Sequence, residues 1–110
     1  MTIQTRSQQF AQRAYQRIAA RNPDDEYRSF ARSFPSLIHT CGLAQALAFA
    51  KAKEKSDYLE DLAAVLSTQA DTLERHSREH PVSGYIRLSR NALEAANWLK
   101  RYVEAAKEGT

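Results

Sequence analysis

The string most suggestive of catalysis is His76-Ser77-Arg78-Glu79-His80, where two histidines flank a glutamate. Side chains at i and i+4 of a helix share a face, so both imidazoles could reach one zinc ion while Glu79 activates a water. Pro81 follows directly, however, and predicts that the helix ends there. Two histidines near a helix C-terminus are also favoured simply as solvated cations. We therefore predict no metal site, and a small metallohydrolase built on His76, Glu79 and His80 is the least favoured alternative.

A second pair, His39 and Cys41, lies two residues apart. That spacing points the two side chains to different sides of a helix, whereas a nucleophile and its base need hydrogen-bond reach. We expect Cys41 to be a small core residue and His39 to lie at the core edge or an interface. With one cysteine and no glycine-rich phosphate loop, the sequence predicts no disulfide, no cofactor and no catalytic residues, so the chain is not expected to be an enzyme.

Arginine supplies the remaining chemistry, since 11 of the 16 basic residues are Arg and the net charge is +3. Arg6, Arg13, Arg17 and Arg21 lie within about 80° of one another around a helix. A guanidinium donates two parallel hydrogen bonds to phosphate and loses its water readily. The predicted nucleic-acid contacts are Arg13, Arg17, Arg21, Lys51, Lys55, Arg87 and Arg90.

A plainer interpretation of the same arginines is a solvated surface whose long stems cover apolar residues. A further pair, Arg28 and Arg32, lies at i and i+4 and predicts another two-pronged basic face. If these arginines contact RNA, we expect charge reversal of Arg13 and Arg17 to weaken RNA retention with little change in thermal stability, whereas unaffected RNA affinity would indicate a plain surface.

The elements that must position these residues are helical, because apolar residues recur at three- and four-residue spacing and no stretch alternates like a strand. The first helix is predicted to end near Arg21, and Asn22 with Pro23 should open the second. Pro35 is expected to break or restart that second helix. The apolar stripe of the first helix includes Tyr15.

Beyond the second helix, a short one is predicted after Gly42. Asp57 and Glu60 have the spacing of a capping box and should open a fourth helix whose stripe runs to Leu73. The last predicted helix repeats apolar residues from Tyr85 to Ala106. The sequence thus predicts an all-α fold, a compact antiparallel helical bundle of about five helices, in one domain spanning residues 1–110.

The longest uncharged run, residues 33–50, contains enough polar side chains to favour burial in a bundle over a membrane span. The first residues lack the apolar stretch of a signal peptide, which favours the cytoplasm.

Two segments carry a family resemblance. The first, YRSFARSFPSLIHTCGLAQALAFAKAK at residues 27–53, has an aromatic and Arg-rich helix, then PSLI, then GL and QALAF; the second is ANWLKRY at residues 96–102. Together they resemble the small helical subunit of the Cmr complex, the type III-B CRISPR ribonucleoprotein that uses a guide RNA against invading transcripts. Residues 57–83 carry no hallmark of that family.

This resemblance implies a non-enzymatic role, because in that family another subunit cleaves the target RNA. The small subunits stack beside the backbone subunits and help to hold the guide–target duplex. The partners implied are therefore other Cmr subunits and the guide RNA–target RNA duplex, with no membrane and no small-molecule substrate. The alternative is a helical protein–protein adaptor that makes no contact with nucleic acid.

Overall fold

The computed structural model describes residues 4–106, in which six α-helices and no strand are found. They are α1 (Arg6–Arg21), α2 (Asp25–Cys41), α3 (Leu43–Ala52), α4 (Ser56–Val65), α5 (Ala70–Glu79) and α6 (Val82–Ala105). The all-α prediction is confirmed, and the number of helices is six rather than about five. The antiparallel arrangement stays a prediction.

The additional helix arises because the predicted fourth helix is interrupted after α4. Ser67 adopts a left-handed conformation with φ of 59°, and the Thr68 N–H donates to the Ala63 carbonyl at 2.9 Å. This turn contains neither glycine nor proline, so the usual signs of a helix end are missing. The apolar stripe still holds on both sides, since Leu62 and Leu73 are buried.

The first two helix boundaries are fixed by side-chain caps. Thr5 and Gln8 form a reciprocal capping box at the start of α1. Asn22 ends α1 in the left-handed conformation, with φ of 50°, and Asp24 caps α2 by accepting from the Tyr27 N–H at 2.8 Å. The prediction that Asn22 and Pro23 open α2 is therefore wrong, because Asn22 closes the preceding helix instead.

Pro35 lies buried inside α2 and does not break it, contrary to the sequence prediction. A proline lacks one N–H and so removes a single backbone hydrogen bond, which burial of the neighbouring Phe34 and Ile38 offsets. The helix ends at Gly42, whose φ of 87° favours glycine. The predicted capping box at Asp57 is also wrong, because Lys55 precedes α4 and no side chain caps it.

The buried side chains form one connected cluster to which all six helices contribute. α6 packs against α1 and α2, while α1 also packs against α4. Phe34, Leu62 and Leu99 are among the fully buried side chains at its centre. This packing leaves one long side of α6 facing solvent.

Cys41 and Tyr15 lie further out than the sequence predicts, whereas the predicted place of His39 at the core edge or an interface stays a prediction. Cys41, the last residue of α2, is exposed and is not a core residue. His39, in the last turn of the same helix, is also exposed. Tyr15 is 56% exposed and contacts Tyr102 instead of entering the core. Between residues 4 and 106, none of the helices combines the length and apolarity needed to cross a bilayer.

Candidate nucleic-acid interface

Two arginines of α1, Arg17 and Arg21, donate to one buried carboxylate of α4. Asp61 is fully buried, and its Oδ1 accepts from the Arg17 Nε at 2.8 Å and from an Arg21 Nη at 2.9 Å. Its Oδ2 accepts from the Arg21 Nε at 3.0 Å and from the Tyr27 hydroxyl. Four donor groups from three residues of α1 and α2 thus satisfy one buried carboxylate, as a carboxylate without water requires.

Arg13 makes the next contact along the same two helices. Its guanidinium donates to the Val65 carbonyl at 3.0 Å, in the last turn of α4. Helix C-termini leave such carbonyls without intrahelical donors, and a cation also complements the helix dipole there. We refer to Arg13, Arg17, Arg21, Asp61 and Val65 as the α1–α4 junction. The four-residue spacing on α1 therefore matches acceptors on a neighbouring helix.

Burial shapes the titration of the groups around Asp61. The hydrogen bond from Arg21 to Asp61 raises the pKa of the Arg21 guanidinium above its ordinary value. Burial, together with the hydrogen bond to Asp61, raises the pKa of Tyr27. Burial, followed by the negative charge of Asp61, raises the pKa of Tyr58, whose hydroxyl has no hydrogen-bond partner among the described residues. Both tyrosines are held neutral well beyond their usual range.

The two predicted lysines are separate from the junction and from each other. Lys51 pairs with Glu74 of α5 at 3.4 Å, and Lys55 pairs with Glu26 of α2 at 3.0 Å. The Lys55 ammonium also lies 5.6 Å from the centre of the Phe30 ring, within cation–π range. These ion pairs are exposed on at least one side and contribute little to stability.

The last two predicted arginines lie on the solvent side of α6. Arg87 and Arg90 are exposed, and within the described part of the chain neither makes an ion pair or a hydrogen bond. They line a surface depression together with Arg6 of α1 and with Ser83, Ile86 and Asn91. This part of α6 offers guanidinium groups to an external anion without first breaking a contact within the protein.

The same face of α6 continues towards its C-terminus, where Arg90 also lines a groove with Leu93, Glu94, Asn97, Trp98 and Arg101. Arg87, Arg90, Trp98 and Arg101 lie within about 80° of one another at 3.6 residues per turn, over roughly 21 Å of helix. We refer to Arg87, Arg90, Asn97, Trp98 and Arg101 as the α6 strip. The sequence prediction missed its second half, although spacings of three, four and seven residues indicated it.

One carboxylate interrupts the α6 strip. Glu94 accepts from Ser7 and lies 3.4 Å from an Arg6 Nη, so α1 compensates its charge. The arginines of the strip therefore keep a net positive face around it. Such a face, with polar amides and an aromatic ring between guanidinium groups, has the composition of a nucleic-acid-binding surface.

The other residues singled out in the sequence belong neither to the α1–α4 junction nor to the α6 strip. The His76 and His80 rings stack on each other with centroids 4.5 Å apart, at the end of α5. Among residues 4–106, no group of three or more potential metal ligands is present. Arg28 is buried and donates to the Pro23 carbonyl at 3.2 Å, so it does not form an exposed pair with Arg32.

Comparison with known proteins places this fold in a family. The model of the CRISPR-associated Cas_Cmr5 family matches residues 6–106. A curated relative, the CRISPR system Cmr subunit Cmr5 of Thermus thermophilus, is 39% identical and is matched over 96% of this chain and 99% of its own. The crystal structure of a CRISPR-associated Cmr5 family protein from the same organism superposes with a TM-score of 0.89, at 37% identity over 96% of this chain and 100% of that one. The resemblance to the Cmr small subunit is thus confirmed, because the matches cover nearly the whole chain. The chain belongs to the Cas_Cmr5 family of CRISPR-associated proteins.

Proposed function

We propose that this chain is a non-catalytic small subunit of a type III-B CRISPR Cmr effector complex in the cytoplasm. In this role it scaffolds the filament through contacts with backbone subunits and neighbouring small subunits, and it contacts the backbone of the guide RNA–target RNA duplex through basic helix faces. Family membership supports the place in a Cmr complex. The observation that carries the RNA contact is the α6 strip, whose exposed arginines have no acidic partner among residues 4–106.

Among the predicted contacts, Arg87 and Arg90 rank first. Phosphates are spaced regularly along a nucleic-acid backbone, so arginines one helical turn apart on an exposed face can each engage one. Arg13, Arg17, Arg21, Lys51 and Lys55 already donate to acceptors within the protein. The Arg17 side chain is 40% exposed and keeps donors free for an anion, so it is the leading candidate of this second group.

The absence of catalysis in this proposal is supported by how the acidic and basic side chains are used. Asp61, the buried carboxylate, accepts from Tyr27, Arg17 and Arg21 and has no role left as a general base. His76 and His80 contact each other at the end of a helix. Cleavage would then belong to another component of the complex, and base pairing would supply the sequence specificity.

The experiment is a titration of a labelled guide–target RNA duplex with the full chain at several salt concentrations, followed by fluorescence anisotropy. Backbone binding predicts that the logarithm of the association constant falls linearly with the logarithm of salt, by about 0.9 per neutralised phosphate for a duplex as in B-DNA. Tight binding without salt dependence, or no binding by the chain and by the assembled complex, would contradict the proposal.

The second candidate, a protein–protein adaptor without RNA contact, is favoured by the exposed apolar side chains Val82 and Ile86 in the first turns of α6. They lie beside Arg87 and could form the apolar centre of a protein interface. If the adaptor is correct, replacing Ile86 with a charged residue disrupts assembly while replacing Arg87 and Arg90 leaves RNA retention by the complex unchanged.

A further inference from the structure

Trp98 occupies the C-terminal half of the α6 strip, in a position suited to more than charge pairing. It is partly buried and lines the groove of about 400 Å³ that Arg90, Asn97 and Arg101 also line. The Tyr102 ring stacks on the indole, with an angle of 19° between the two ring planes and centroids 5.9 Å apart. Tyr15 of α1 packs edge-on against Tyr102 at 5.6 Å. Tyr102, itself in contact with α1, thus packs against the indole.

A planar cation lies over the indole ring. The Arg101 guanidinium carbon lies 5.7 Å from the centre of the Trp98 ring, within the range of a cation–π contact. Arg101 is exposed, and within the described residues it has no carboxylate partner. Displacing its guanidinium from the ring therefore breaks no ion pair, and the freed group remains next to the groove.

We propose that an unpaired RNA base stacks on Trp98 in the place that the Arg101 guanidinium now covers, and that Arg101 then donates to the adjoining phosphate. This inference rests on the proposed RNA contact of the α6 strip. It adds that the RNA is single-stranded at the C-terminal end of the strip. Every base has a π-face, so stacking on an aromatic ring tolerates any sequence. Asn97, exposed on the same face, offers an amide to the base edge.

Stacking of this kind requires single-stranded RNA at Trp98. In a duplex, each base is covered by its neighbours and its faces are unavailable, whereas unpaired bases are recognised by stacking on aromatic and guanidinium planes. The strip would thus meet backbone phosphates at Arg87 and Arg90 and an unstacked nucleotide at Trp98, at the opposite end of the same face.

The test uses the fact that Trp98 is the only tryptophan of the chain. The full, unmodified chain is titrated with a short oligoadenylate under excitation selective for tryptophan, while anisotropy of a labelled copy reports binding independently. An abasic oligonucleotide of the same length and the duplex with oligouridylate are the matched controls. We expect quenching of Trp98 emission by the single strand and little quenching by either control, although all three bind.

Substitutions then measure what stacking contributes to affinity. Trp98→Ala should weaken oligoadenylate binding between about fivefold and a hundredfold, and Trp98→Phe should restore most of it, because a smaller ring still stacks. Both variants should bind the abasic strand as the unmodified chain does. Arg32→Ala, an exposed arginine outside the strip, is the control and should change nothing.

The outcomes separate the two proposals. Salt-dependent binding of oligoadenylate with unchanged Trp98 emission, or equal quenching by the abasic strand, would overturn the stacking inference and leave the backbone contact standing. Failure of every RNA to bind in the anisotropy measurement would overturn the stacking inference, and failure of the assembled complex to bind as well would overturn both proposals. Since the quenching experiment uses the unmodified chain, its result does not depend on whether Trp98→Ala folds.

Discussion

The α1–α4 junction and the α6 strip are both built from arginines spaced three or four residues apart on one helix face, yet the protein uses them in opposite ways. On α1, the facing helix supplies Asp61 and the Val65 carbonyl, and the guanidinium groups turn inward. On α6, no helix covers the face, and Arg87 and Arg90 remain in solvent. Similar spacing in sequence thus becomes a structural clamp where a facing helix supplies acceptors, and an open basic surface where no helix covers the arginines.

The first prediction concerns removal of Asp61, the acceptor to which Arg17 and Arg21 of the junction donate. Replacing Asp61 by Ala leaves Arg17 and Arg21 next to each other without their common anion. It also removes the acceptor of the Tyr27 hydroxyl. Breaking a buried ion pair from one side costs about 3 to 5 kcal/mol in free energy of unfolding. Urea denaturation monitored by circular dichroism measures it.

The matched control for Asp61→Ala is Glu60→Ala, one residue earlier on α4. The Glu60 side chain is 59% exposed and lies 3.9 Å from an Arg21 Nη. Exposed ion pairs contribute about 0 to 1 kcal/mol, so this variant should unfold almost as the unmodified chain does. Equal losses in the two variants would mean that Asp61 is not the centre of the junction.

A second prediction concerns alkaline pH, which acts on the two buried tyrosines beside the junction, Tyr27 and Tyr58. The folded chain raises the pKa of Tyr27 and of Tyr58 above the ordinary value of 10.0. A group whose folded pKa exceeds its unfolded pKa contributes stability that is complete below the unfolded value and is lost as pH rises. The free energy of unfolding should therefore fall above about pH 10, by up to about 1.4 kcal/mol per pH unit for each such tyrosine.

The ultraviolet absorbance of tyrosinate follows this titration directly. Tyr27 and Tyr58 are buried and their pKa values are raised, so they should ionise only together with unfolding. Tyr27→Phe should remove one of the two delayed groups. Complete tyrosine ionisation while circular dichroism still reports the folded protein would contradict the burial of Tyr27 and Tyr58.

The comparison also shows how far the sequence could lead. Apolar periodicity found α1, α3 and α6 and located the end of α1 near Arg21 and the start of α3 after Gly42, because burial of one face controls those helices. The break between α4 and α5 was not predictable, since Ser67 takes a left-handed conformation that no local residue type announces. Pro35 was misleading for the opposite reason, because tertiary burial of α2 outweighs the loss of one hydrogen bond.

For the interface, sequence spacing found which arginines share a helix face but not which faces are covered. Nothing near Arg17 in sequence indicates that Asp61 will lie 2.8 Å away. The expectation that charge reversal on α1 changes stability little is revised accordingly, because reversal of Arg17 would set a carboxylate against buried Asp61. Arg101 and Trp98, which the sequence prediction missed, share the helix face of Arg87 by spacing alone. They lie on an uncovered side of α6, where the pattern on one helix is enough to identify the exposed face.

The most direct test of this contrast compares two double variants with the same change in charge, Arg17→Ala/Arg21→Ala and Arg87→Ala/Arg90→Ala. For each, urea denaturation gives the free energy of unfolding, and anisotropy gives the salt dependence of binding to single-stranded RNA. The junction variant should lose about 3 kcal/mol of stability with most of its salt slope retained. The strip variant should stay within about 0.5 kcal/mol and lose about 1.4 from its slope, at 0.7 per phosphate. A strip variant that unfolds easily, or a junction variant that alone loses the salt slope, would contradict the account.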